Sequence, residues 1–227
     1  MPNAHGQLFG DDMRQANPQR QSDRRTEILD AAERCFARDG FHRASMQDIC
    51  GEAKMSAGNL YRYFASKEAL IAGICERNRA EAVDSFALVD SAPDFFEGLA
   101  GLARHHLVDR SADEVSLCAE IMAESRRHPD IAKLYQGIES DIKGRLAAML
   151  NIAASRGEIA GNLDFDAIAS VLMVLGDGMS WRRSVEPGFD AESVLPLILK
   201  MVHCLIAKSD EKPDEKLGEV RAAGDKS

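Results

Sequence analysis

Helix-capping and chain-breaking residues recur at helix-length intervals along this sequence, and no stretch alternates apolar and polar residues for long. A half-buried strand needs that alternation, whereas a surface helix repeats apolar residues at i, i+3, i+4 and i+7. The chain is therefore read as all-α. Ser22 or Asp23 can cap a first helix from about Asp23 to Arg38, with Ile28, Ala32, Cys35 and Phe36 on one face and Gly40 as its stop. Ser45, with Asp48 three residues on, imitates a capping box and opens a short helix over 46–53; Ser56 caps another over 57–63. Ser66 caps a fourth that continues toward Asp90. Pro93, Pro129 and Pro187-Gly188 punctuate the remainder into helices near 93–110, 115–127, 129–156, 165–183 and 191–208, about nine in all. Pro196 should kink the last helix or mark a later start.

Hydrophobic residues make up 45% of the 227 and charged residues 29%, which excludes a low-complexity or wholly disordered chain. Apolar runs such as 171–175 fall far short of the roughly 18 residues that span a bilayer. The first dozen residues lack a basic start and an apolar core, so no secretory signal is expected. Five cysteines, odd in number and with no C-x-x-C pair, argue against a disulfide framework and for reduced thiols in the cytoplasm. Residues 1–22 and 209–227 read as flexible tails.

A net charge of −9 is no recommendation for a nucleic-acid binder, but the deficit is local. Residues 1–70 carry ten basic and ten acidic side chains, and between Arg14 and Lys67 basic residues exceed acidic ones by three. Affinity for DNA depends on the face that meets phosphate, so this surplus is compatible with binding; it is equally an ordinary solvated surface.

Two short helices joined by a tight turn at 53–56 form a helix-turn-helix, a domain read over 23–68 ahead of a larger helical one over 69–208. Ile49, Ala53, Met55, Leu60 and Phe64 face the first helix and hold the unit rigid, which leaves Tyr61 and the start of the second short helix free. Ala57 and Gly58 there are small enough for close backbone approach to a duplex. The pieces I-L-D-A-A, F-A-R-D-G-F, A-S-M-Q-D-I, M-S-A-G-N-L-Y-R-Y-F and S-K-E-A-L, in this order and spacing, strongly resemble the DNA-binding domain of the TetR family of bacterial transcription regulators. The resemblance is close over some 50 residues, and length and helical pattern extend it to the rest. It implies that Ser45, Tyr61, Tyr63 and Lys67, with Arg62 beside them, touch phosphates. It places Gln47, Ala57, Gly58 and Asn59 at base edges, where an amide can pair with adenine and a methyl can meet thymine. Lys54 departs from the pattern, which has Gly in the turn; either the turn absorbs strain there or the side chain adds a phosphate contact.

The same resemblance implies a C-terminal part that binds a small effector and forms a homodimer. The helices over 165–183 and 191–208 are apolar over more than one stripe, which suits a four-helix bundle across a two-fold axis, with Leu199 among its contacts. Candidate effector-binding residues are Leu117, Glu120, Met122, Leu134, Ile138, Met173, Asp177 and Trp181. An acidic group beside an indole in an apolar pocket suits a cationic or aromatic ligand. His105, His106, Cys118 and His128 have no metal-ligand spacing, and neither a phosphate loop nor a nucleophile motif occurs, so no metal, cofactor or catalysis is expected. The expected protein is a cytoplasmic, dimeric repressor bound to a palindromic DNA operator and released by an effector that shifts the fourth helix. An activator of the same fold, and a helical small-molecule-binding protein or enzyme without DNA binding, are the alternatives.

Overall fold

A computed structural model describes residues 18–208; the readings of 1–17 and 209–227 as tails lie outside the described residues. Among the described residues there are ten α-helices, one π-helical turn and no strand. Helix α1 (Pro18–Asp39), α2 (Met46–Glu52), α3 (Ala57–Tyr63) and α4 (Lys67–Ser85) come first. A short α5 (Ala87–Ser91) and α6 (Phe95–Arg104) lead into the π-helical turn His105–Asp109. Then follow α7 (Ala112–Ser125), α8 (Pro129–Ser155), α9 (Phe165–Val185) and α10 (Ala191–Ile206).

Local chemistry accounts for most boundaries. The Ser45 side chain accepts from the Asp48 amide while the Asp48 carboxylate accepts from the Ser45 amide, a complete capping box. Ser56, Ser66, Asp94, Asp164 and Asp190 each cap the third residue of a following helix in the same way. Several boundaries depart from the sequence reading, among them the helix read over 93–110, which starts at Phe95 and passes into the π-helical turn after Arg104. Helix α1 already includes Pro18, the first described residue, so residues 18–22, read as part of the N-terminal tail, are helical; the Gln and Arg residues there favour helix. The fourth helix stops at Ser85, whose hydroxyl donates to the Ala82 carbonyl, and α5 folds onto α6. A second capping box, Ser111 with Glu114, starts α7 ahead of Val115. Helix α10 runs from Ala191 through Pro196, so the later start does not occur.

Three apolar clusters hold the molecule together. The first joins α1–α4 through Ile28, Phe36, Ile49, Leu60, Phe64 and Leu70, and it continues into Leu117 and Ile121 of α7 and Ile131 of α8. The second packs α6, α8, α9 and α10 around Leu150, Ile168 and Ile206; the third gathers Met179, Leu195 and Leu199. The N-terminal four helices thus share a core with the C-terminal ones. Polar links reinforce that junction: the Phe41 amide donates to Glu120 at 3.4 Å, and buried Glu124 lies 2.8 Å from His42 and 3.2 Å from His128.

Candidate functional site

The α2–α3 turn is built by the chain's own helix-stop chemistry. Beyond Glu52 the Lys54 amide donates to Gly51 and the Met55 amide to Cys50, the pair of bonds that closes a helix through a left-handed residue. That residue is Lys54, with φ of 50°, alone among the described non-glycine residues in having a positive φ. The turn therefore absorbs strain, and the Lys54 side chain is exposed. Fully buried Ile49 and Leu60, with Phe64 beside them, fasten α2 and α3 to α1.

Outward from this anchor, Ser45, Gln47, Ala57, Gly58, Tyr61 and Arg62 are exposed, and Asn59 and Tyr63 are half-buried. Tyr61 leaves 52% of its surface to solvent, too much for a ring whose task is to cover the core, whereas half-buried Tyr63 packs against that core. The Ser45 hydroxyl donates to Asp48 at 2.6 Å, and this bond holds the Asp48 carboxyl below the usual carboxylate range. The Lys67 ammonium donates to the Phe41 carbonyl at 2.6 Å and the His42 carbonyl at 3.3 Å and lies 4.6 Å from the Phe41 ring centre. It locks the α1–α2 loop to the start of α4. Arg43, exposed beside Ser45, is a further cation there that the motif reading passed over.

A cavity of about 470 Å³ opens in the C-terminal half, walled by the second half of α4, by α6 and the π-helical turn, and by α7–α10. Met122, Ile138, Met173, Asp177 and Trp181 lie on its wall. Leu117, Glu120 and Leu134 do not. Leu117 and Leu134 pack into the first core, and Glu120 turns to the Phe41 amide. The 3.6-residue period of α7 explains the split: residues 117, 120 and 124 face α1 and the loop after it, and 115, 118 and 122 face the cavity. Of the histidines and cysteine set aside as metal ligands, His105, His106 and Cys118 also line the cavity, while His128 meets Glu124. Leu199 is buried and lines the cavity too, so it is not a dimer-face residue.

His106, Tyr135 and Glu139 on this wall fall within stretches the sequence already placed around the pocket without singling them out for it, and Arg110 lies outside those stretches. Glu139 carried a signal: Tyr135, Ile138, Ile142 and Leu146 form one apolar stripe of α8, and the carboxylate sits on it. Burial pushes Glu139 above the usual carboxylate range, and the neighbouring Asp177 charge adds to that; burial alone raises Asp177. His106 is held neutral by burial, its pKa lowered to about 4, and its Nε2 lies 2.7 Å from the Ser85 hydroxyl at the end of α4. Arg183 of α9 donates to the carbonyls of Leu107 and Arg110, which clamps the far end of the π-helical turn.

No helix among the described residues is long and apolar enough to cross a membrane. Residues 28–74 match the family model of bacterial regulatory proteins of the tetR family, and 102–207 match that of the C-terminal region of BetI-type transcriptional repressors. The HTH-type transcriptional regulator UidR of Escherichia coli is 31% identical over 166 residues, spanning 68% of this chain and 79% of that protein. The structure of Salmonella enterica GusR superposes with a TM-score of 0.70 and 32% identity over 81% of this chain and 95% of its own. A putative transcriptional regulator from Saccharomonospora viridis in complex with choline gives a TM-score of 0.73 and 25% identity over 83% and 100%.

Proposed function

The chain belongs to the tetR family of bacterial regulatory proteins and is a DNA-binding transcriptional regulator, and we propose that it is a homodimeric repressor released when a small effector fills the cavity. The observation that carries this reading is the double duty of α4. Its first half supplies Leu70, Ile71 and Ile74 to the core that holds the helix-turn-helix. Its second half supplies Asn78, Arg79 and Ala82 to the cavity wall, and Ser85 ends it on His106. A ligand that displaces this wall displaces one end of a rigid rod whose other end carries α2 and α3. The choline complex of the Saccharomonospora viridis protein supports a small-molecule role for such a cavity.

On DNA, α3 enters the major groove. Ser45, Tyr61, Arg62, Tyr63 and Lys67 meet phosphates, and Gln47, Ala57, Gly58 and Asn59 meet base edges; the exposure of Ser45, Gln47, Ala57, Gly58, Tyr61 and Arg62 supports a DNA-facing role. The DNA-binding unit comprises α1–α3 and the start of α4, near the division at residue 68. A second copy covers the apolar stripe of α9 at Val171, Val174 and Val185, and that of α10 at Leu197, Met201 and Leu205, all exposed in the single chain. No cofactor or catalytic step enters, and the protein works in the cytoplasm on the DNA there. Retardation of the DNA upstream of its own gene tests the reading. A shift that weakens steeply with salt is expected, and no shift at low salt with micromolar protein would refute it.

A further inference from the structure

The cavity wall is apolar over most of its area but uneven in its charges. Five acidic residues and two basic ones contribute to it: Glu81, Asp109, Glu114, Glu139 and Asp177 against Arg79 and Arg110. Each cation already has an acid of its own, for Arg79 pairs with Asp141 and Glu76, and Arg110 with Glu114. Asp109 is matched in turn by Arg104. Glu139 on α8 is half-buried and Asp177 on α9 is exposed at the cavity wall, and neither forms an ion pair among the described residues. The nearby Tyr135 hydroxyl favours the charged form of Glu139, and no cation does so. An uncompensated charge out of water is costly, and two that feel one another are costlier. Tyr135, one helical turn from Glu139, and Trp181, one turn from Asp177, are aromatic residues on the same wall.

We infer that the cavity takes an organic monocation with an apolar or aromatic body, its positive centre lying between Glu139 and Asp177. The ligand supplies the counter-charge that the fold withholds, and its body fills the space among Leu102, Ile138, Met173 and Leu175. Cation–π contact with Trp181 and Tyr135 and Coulomb attraction to the acids act on one ligand group. The raised carboxyl pKa values accord with this, because each acid is poised to gain from a cation. This inference rests on the reading of the cavity as the effector site.

Trp181 is the chain's only tryptophan and stands on the wall, so its fluorescence reads occupancy directly. The probes are 4-phenylbutylammonium, 4-phenylbutanol and 4-phenylbutyrate, which share one body and differ in the charge of the head. At pH 7.5 the ammonium should bind the full chain at least about tenfold more tightly than the alcohol, with the carboxylate weakest. In the Glu139→Gln/Asp177→Asn double variant the ammonium and alcohol should come within about threefold of each other. If the double variant does not fold, each single variant should lose part of the preference; Asp177 is exposed enough to tolerate Asn. Equal affinities, a preference for the carboxylate, an ammonium preference that survives the double variant, or no saturable quenching by any probe would overturn the inference. Gel retardation run in parallel separates it from the function it rests on. Carboxylate-dependent ammonium binding that leaves DNA bound would uphold the ligand class and refute effector release. Release of DNA by 4-phenylbutyrate in place of the ammonium would do the reverse.

Discussion

Lys54 and Lys67 show how single side chains shape the helix-turn-helix. A non-glycine residue at φ of 50° costs roughly 1 kcal/mol relative to glycine. Lys54→Gly should therefore raise stability by about that amount in urea unfolding. If the side chain also meets phosphate, the salt dependence of DNA binding should become shallower by about one counterion per half-site in the same variant; an unchanged slope assigns Lys54 to the turn alone. Lys67 has the opposite character. Its ammonium satisfies two carbonyls of the α1–α2 loop, so Lys67→Ala should cost roughly 1–2 kcal/mol of stability and weaken binding to all DNA sequences alike. Gln47→Ala, at an exposed position with no core contact, should change base preference and leave the melting curve in place. Unaltered DNA affinity in Lys67→Ala would move the DNA face elsewhere.

Among the elements, α6 and the turn after it connect cavity to rod. A Cβ at Gly98 would stand 2.7 Å from the Val89 Cα, so α5 and α6 touch backbone to backbone. Gly98→Ala, which in an open helix gains up to about 1 kcal/mol, should here lose roughly 1–3 kcal/mol in thermal unfolding. His106 in the π-helical turn has its pKa lowered to about 4, against 6.5 for a free side chain. The unfolded chain thus binds the proton more readily, and the contribution of neutral His106 is complete above about pH 6.5 and falls away as pH drops toward 4. Between pH 7.5 and pH 5 this amounts to about 2 kcal/mol, which His106→Gln should remove from the difference between urea unfolding curves at the two values. Much of this layer was legible in the sequence: Ser45, Ser56 and Ser66 announce helix starts because a cap is a bond between near neighbours. The sides of α7 were not. Periodicity finds its apolar face, but only the docking of α1 decides that Leu117 and Glu120 turn toward α1 and the loop after it and Met122 toward the cavity. His105 and His106 read as ordinary helix residues for the same reason, since nothing local signals the π-helical turn.

At the scale of the whole molecule, the first core spans both halves and the C-terminal helices leave apolar stripes without a partner. Leu197 is 63% exposed and Met201 62%, which makes them surface positions within one chain and buried ones in a two-fold bundle. Leu197→Glu should leave the monomer's melting behaviour almost unchanged while placing a desolvated charge in the dimer, so that association is lost. Operator affinity should fall with it, because two recognition helices on one duplex gain from being linked. The decisive measurement is a footprint on the DNA upstream of the gene, made with the wild-type chain and with Leu197→Glu, alongside sedimentation of both. The wild type should run as a dimer and protect a two-fold symmetric site with half-site centres about 34–36 Å apart or a multiple of that. The variant should run as a 24.8 kDa monomer and protect nothing at the same concentration. An asymmetric footprint, or full protection by a monomeric variant, would contradict the account.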